Sequence, residues 1–125
     1  MKKPEQRFPK SVRLIRQADF DRVHGGQHYA ADQTLVIKAV SNGLPVTRLG
    51  LSVSRRVGNA VVRNYWKRRI REAFRRQQVS LPPGLDLVVR PKKGAVCEFN
   101  AIAKSLKRLV AKIESRIKKS GSGNR

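Results

Sequence analysis

Thr47-Arg48-Leu49-Gly50-Leu51-Ser52-Val53-Ser54-Arg55-Arg56-Val57-Gly58-Asn59 leads directly into Ala60-Val61-Val62-Arg63-Asn64-Tyr65-Trp66-Lys67-Arg68-Arg69-Ile70. Inside this stretch the apolar period changes. Leu49, Leu51 and Val53 alternate with Arg48, Gly50, Ser52 and Ser54, which is the period of a half-buried strand over 47–54. From Asn59 onward Val62, Trp66, Ile70, Ala73 and Phe74 recur at helical spacing and predict an amphipathic helix over 59–77, with Asn59 as its N-cap. A strand feeding such a helix gives two apolar faces that one core can cover.

The flanks extend this pattern. Gln17–His24 reads as a short helix with Phe20 and Val23 on one face, stopped by Gly25-Gly26. Residues 34–40 are β-branched and apolar, with Leu35, Ile37 and Ala39 on one side and Val36, Lys38 and Val40 on the other. The turn Ser41-Asn42-Gly43 then predicts an antiparallel hairpin between this strand and 47–54, and a shorter strand is expected around Gln27–Ala30. After the long helix come the loop Leu81-Pro82-Pro83-Gly84, a strand over Leu85–Arg90, the break Pro91-Lys92-Lys93-Gly94, and a helix over 98–117. The order α-β-β-β-α-β-α is that of an α+β two-layer sandwich, a sheet covered by helices mainly on one side. We expect a single domain over 1–117, with a basic lead-in at 1–11, and a basic disordered tail at 118–125.

Charge narrows the function. Against 29 Lys and Arg stand only 8 Asp and Glu, a net charge of +21 in 125 residues. Self-repulsion of that size is a stability cost, and a polyanionic partner relieves it. Nothing approaches a membrane span, and the basic N-terminus is not followed by the apolar run of a signal peptide. Cys97 is the sole cysteine, and Gly25-Gly26 separates His24 from His28, so no metal-ligand set is expected. No nucleophile–base pair, paired-carboxylate motif or phosphate loop is present. The chain reads as a cytoplasmic, reduced, nucleic-acid-binding protein whose chemistry comes from a partner.

Two surfaces stand out. On the helix at 59–77, Arg63, Lys67 and Arg71 form one column beside the apolar stripe, and Asn64, Arg68 and Arg75 form the next. Arg55, Arg56, Arg69 and Arg76 extend the field, so residues 55–76 hold nine basic residues and one acid, Glu72. An ordinary solvated helix mixes its signs; this one predicts a grip on phosphates, with Asn59 and the helix N-terminus adding free amides. The second surface is the polar face of the sheet. Val36, Lys38, Gly50, Ser52 and Ser54 leave a trough suited to an extended single strand, with Phe20 as a stacking platform or a core residue.

The run Gly50 through Asn64 resembles the signature of the bacterial ribonuclease P protein family, as does Lys67-Arg68-Arg69-Ile70-Arg71-Glu72-Ala73-Phe74-Arg75. Asp19-Phe20 with Val23, and Asp86-Leu87-Val88-Val89-Arg90 ahead of the last helix, extend the likeness over roughly residues 12–115. The resemblance implies a mixed four-stranded sheet with a left-handed β-α-β crossover, like domain 2 of a ribosomal protein. It implies a protein that assists a Mg²⁺-dependent catalytic RNA in cutting the 5′ leader from precursor tRNA, with Mg²⁺ held mainly by the RNA and no obligate protein partner. Arg55, Arg56, Asn59, Arg63, Asn64, Lys67, Arg68, Arg71 and Arg75 would bind the catalytic RNA. Phe20, His24, Val36, Lys38, Gly50, Ser52 and Ser54 would bind the leader.

Three positions depart from the family pattern. Tyr65 stands where Arg is usual, with Arg69 one turn on as a replacement cation, and His24 and Lys38 stand where aromatics are frequent. The cleft is therefore expected to rely more on charge. A structural RNA-binding protein, a helix-turn-helix DNA binder and a protein ribonuclease are the competing readings. The last two are disfavoured by the missing partner helix and the missing catalytic set.

Overall fold

The computed structural model describes the backbone of residues 10–123 and the side chains of residues 11–119. Most of the basic lead-in, and residues 124–125, lie outside that range. Helix α1 (Gln17–His24) is followed by β1 (His28–Ala31), β2 (Leu35–Ser41), β3 (Arg48–Leu51), α2 (Ala60–Gln77), β4 (Leu85–Pro91) and α3 (Phe99–Gly123). The α+β order is the one read from the chain. Single-turn 3₁₀ helices occupy Lys10–Val12 and Arg55–Val57.

The four strands form one mixed sheet in the order β1-β2-β4-β3. β1 pairs antiparallel with β2, β2 antiparallel with β4, and β4 parallel with β3. The expected hairpin between residues 34–40 and 47–54 is therefore absent, because β4 inserts between those strands. Its residues 85–89 are buried on both faces, as a central strand requires. The turn at Ser41-Asn42-Gly43 is present, but it leads β2 across the end of β4 rather than back along itself. Strand β3 also ends sooner than expected, at Leu51, although the Ser52 amide still donates to the Val89 carbonyl at 3.0 Å. Its outer edge is covered by the N-terminal segment, where the Leu14 amide donates to the Leu49 carbonyl at 2.9 Å.

The main core lies between one sheet face (Leu35, Ile37, Ala39, Leu49, Leu87, Val89) and helices α2 and α3. From α2 come Trp66, Ile70, Ala73 and Phe74, and from α3 Ile102, Leu106, Leu109, Val110 and Ile113. Val62, expected on this stripe, is 37% exposed. Asn59 caps α2 as expected, its side chain accepting from the Val62 amide at 3.0 Å. Gly58 before it has φ 155°, and a Cβ there would stand 2.9 Å from Val62, so only glycine makes this entry without strain. Helix α3 continues past Ile117 through Gly123, into the segment expected to be a disordered tail. Lys118 pairs with Glu114 one turn back, and no proline intervenes.

Among the described helices, α1 covers the opposite sheet face, over a small cluster of Leu14, Val23 and Val88 with Phe20 and Val40 against it. Two carboxylates pin the layers together. Asp86, fully buried on β4, accepts from Arg48 at 2.6 and 2.8 Å, from Asn42 at 2.9 Å and from Arg22 of α1. Burial pushes its carboxyl up, but the bonds from Arg48, Asn42 and Arg22 outweigh this and hold it below the ordinary range.

Asp32, in the β1–β2 turn, accepts from the Thr34 and Leu35 amides, from Ser105 at 2.8 Å and from Arg108 at 2.5 Å. Burial raises its pKa, yet these bonds bring it down to about 2. A carboxyl depressed in the native state adds stability above its ordinary pKa and loses it as pH falls through the native value. Asp32→Ala should therefore cost about 2 kcal/mol at pH 7, and the gap to the parent should close as the pH drops from 4 towards 2. Urea unfolding at both ends of that range checks this; a gap independent of pH would mean that the carboxylate charge contributes nothing.

Candidate nucleic-acid interface

The two columns predicted on α2 are both present on one side of the helix. Asn64, Arg68 and Arg71 are exposed, while Arg63, Lys67 and Arg75 are half-buried along the margin of the strip. The Arg63 Nε is buried without a hydrogen-bond partner, an unmet donor inside the cationic strip. Glu72, the one acid of α2, is bonded by Arg75 and by Arg76 at 2.7 Å, which hold it below the usual carboxylate range despite partial burial. Arg75 is thus engaged, and its charge is offset locally. Arg69, expected to replace the missing arginine at position 65, instead stacks over the Tyr65 ring with its guanidinium carbon 5.1 Å from the centroid. The pair forms a separate cation–π unit on the helix side away from Arg63.

Arg55 and Arg56 lie exposed on the 3₁₀ turn that precedes α2. Beside it is a cavity of about 420 Å³, lined by Ser54, Arg56, Val57 and Trp66 and closed by Arg90, Pro91, Lys92, Lys93, Gly94 and Ala95. Four cations meet there from two segments far apart in sequence. In the sequence Arg90, Lys92 and Lys93 mark only the end of a strand. Their density in Arg90-Pro91-Lys92-Lys93 was the available signal, but only the parallel pairing of β3 with β4 brings them beside Arg56.

The outer sheet face departs more from expectation. Gly50 is no open floor. A Cβ there would stand 2.8 Å from the Phe20 ring and 3.1 Å from Leu14, so Gly50 is the seat of that ring. Phe20 is half-buried, both core and platform, and His24 is exposed one turn on. Val36, expected in the trough, is 5% exposed, because β2 is a central strand with Ala31 and Arg90 flanking it in register. Lys38 and Ser52 are half-buried and Ser54 is exposed. In register, Gly50, Val88, Lys38 and Tyr29 form one row across the sheet. Tyr29, 57% exposed, was overlooked because its strand is too short for alternation to show; it sets an aromatic directly opposite Lys38.

Among the described residues no group of three or more His, Cys, Asp or Glu could hold a metal ion, and no helix is long and apolar enough to cross a membrane. Asp32, Asp86 and Glu72 are engaged by arginines. Burial raises the Cys97 thiol pKa despite Arg69 nearby, so it is no activated nucleophile. The residues do not fit a Mg²⁺ site.

A basic α+β domain whose long helix carries a one-sided cationic strip defines the class of an RNA-binding protein. Comparison with known proteins narrows the class. The family model described as Ribonuclease P matches residues 8–114. The ribonuclease P protein component of Citrifermentans bemidjiense is 42% identical over 100 residues, covering 79% of this chain and 85% of that protein. Solved structures agree. The Staphylococcus aureus RNase P protein superposes with a TM-score of 0.71 at 34% identity, covering 83% of this chain and 98% of that one. The Thermotoga maritima RNase P protein gives 0.73 at 33% identity, covering 81% and 96%. The chain belongs to the ribonuclease P protein family. Its role is that of the protein component of a ribonucleoprotein endoribonuclease, working with an RNA subunit in tRNA 5′-leader processing.

Proposed function

We propose a division of labour between the two basic surfaces. Arg55, Arg56, Asn59, Arg63, Asn64, Lys67, Arg68 and Arg71 bind the catalytic RNA, with Arg75 setting the edge of the strip through Glu72. The outer sheet face, from Phe20 across Lys38 and Ser52 to the Ser54–Arg90 cavity, holds the single-stranded leader of precursor tRNA. His24 adds a polar contact beside Phe20, and Gly50 and Val36 act from beneath, as the seat and floor of that face. The observation that carries this reading is the unmet Arg63 Nε donor within a strip whose one acid is already neutralised. Hydrolysis and Mg²⁺ belong to the RNA subunit, a reading supported by the lack of a ligand set for the ion among the described residues. The working compartment is the bacterial cytoplasm.

Reconstitution tests the whole reading: the chain, a bacterial ribonuclease P RNA and labelled precursor tRNA are combined at low Mg²⁺, where cleavage should depend on the protein. The leader surface has its own test in the ratio of precursor to mature tRNA affinity. Phe20→Leu keeps an apolar side chain over Gly50 but removes the stacking face, worth about 1–3 kcal/mol per base. It should lower the ratio more than Lys38→Ala, which removes one half-buried charge contact, and mature tRNA should bind as before. If both folded variants keep the parental ratio, the leader does not lie on this face.

A further inference from the structure

Helix α3 carries a second cationic array that the α2 strip does not include. Lys104, Arg108, Lys112 and Arg116 follow one another at intervals of four residues. Each step rises about 6 Å and turns about 40° around the helix, so the ladder winds from the outer surface towards the β1 edge of the sheet. Its far end meets that edge: Arg116 donates to the Tyr29 carbonyl, and Lys112 and Arg116 line an open groove of about 320 Å³ with Tyr29, Ala30 and Ala31. Its middle is anchored by Arg108 on Asp32. Lys112 takes part in no ion pair among the described residues, and Glu114, the nearest acid on α3, pairs with Lys118 at 3.5 Å.

The position of the groove indicates what it takes. Helix α2 packs along the other flank of α3, where Gln77 donates to the Ala103 carbonyl at 3.0 Å and Arg76 lies over Phe99. The ladder therefore faces away from the α2 strip. It is continuous instead with the outer sheet face, because the row Gly50, Val88, Lys38, Tyr29 ends at the β1 edge. Four strands are only about 14 Å wide, so a strand crossing this row leaves the sheet after a few nucleotides, beside Tyr29. There it meets the exposed Tyr29 ring, the small exposed Ala31 and a line of cations, the elements of a sequence-tolerant single-strand track.

We propose that the β1 edge and the α3 ladder form a second RNA-backbone surface, which takes the single-stranded leader beyond the portion lying on the sheet. This rests on the outer-face reading above. The test uses reconstituted holoenzyme and two precursor tRNAs, one whose leader ends on the sheet and one with a longer leader. The Lys104→Ala/Lys112→Ala/Arg116→Ala variant should weaken binding of the long-leader precursor roughly tenfold or more at 0.1 M salt and lower its salt slope by about 2, three contacts at 0.7 each. The short-leader precursor and the RNA subunit should bind as before. Lys112→Glu, which leaves the Arg116–Tyr29 bond in place, should give the same length-dependent loss if the triple variant folds poorly. Equal losses for both leaders, no loss for either, or weakened binding of the RNA subunit would overturn the proposal. Phe20→Leu separates the two readings, since it should weaken both leaders alike. If it affects neither while the ladder variants still discriminate by length, the outer-face reading fails and the groove stands alone.

Discussion

The Arg63→Ala/Lys67→Ala/Arg68→Ala variant should bind the catalytic RNA roughly a hundredfold more weakly at 0.1 M salt, with about 2 to 3 units lost from the slope of log K against log salt. The arithmetic is that of counterion release: three phosphate contacts at 0.7 to 0.9 each, in a medium where each is worth about fivefold or more. The fold should be untouched. None of the three side chains belongs to the core, alanine is the best helix former, and no ion pair of α2 is lost, since Glu72 keeps Arg75 and Arg76. Losing Arg63 also removes a buried donor that has no partner in the free protein. Equilibrium binding across a salt series, beside a thermal melt, measures both halves. Unchanged affinity and slope would reduce the strip to solvated surface. A lower melting temperature with an unchanged slope would make it structural.

The largest effect on stability is expected at Asp86. Its carboxylate is fully buried and receives two arginines and an amide, so Asp86→Ala leaves Arg48 and Arg22 facing each other with Asp19, 3.6 Å from each guanidinium, as their remaining counter-charge. Breaking a buried pair typically costs about 3–5 kcal/mol. Arg22 is 42% exposed and can turn to water, so about 2–4 kcal/mol is the reasonable range after screening. Arg48→Ala should cost less, because Asp86 keeps Arg22 and Asn42, and Arg22→Ala least. Acid should reproduce part of the effect. With the native pKa below the ordinary carboxylate value, the contribution is complete above that value and fades as pH falls through the native one. Urea unfolding of the three variants at neutral pH gives the ranking directly. Should Arg22→Ala match Asp86→Ala, the buried carboxylate is not the centre of the network. Because the same network seats α1, Asp86→Ala should also lower leader discrimination through Phe20, without touching the α2 strip.

The elements themselves were legible in the chain because each is written locally. The period change at Gly58-Asn59, the glycines after His24 and the prolines around Leu85–Pro91 are short-range signals, and the structure places its boundaries close to them. The α2 strip was equally legible, since one helix carries all its members and 3.6-residue geometry puts them in columns. Sheet order was not. Residues 34–40 and 47–54 look like hairpin partners because a turn separates them, and no local signal says that Leu85–Pro91 enters between them. What decides it is that β4 can be buried on both faces only in the centre, and it can be central only because Arg22, Arg48 and Asn42 arrive from three other segments to satisfy Asp86. The same long-range pairing seats Phe20 on Gly50, covers Val36, gathers Arg56 with Arg90, Lys92 and Lys93, and sets Tyr29 opposite Lys38. The elements, the charge and the cationic helix follow from the chain alone, because they depend on neighbours within a few residues. The cleft and the basic cavity depend on which strands lie side by side, and strand order is set by contacts between segments far apart in the chain.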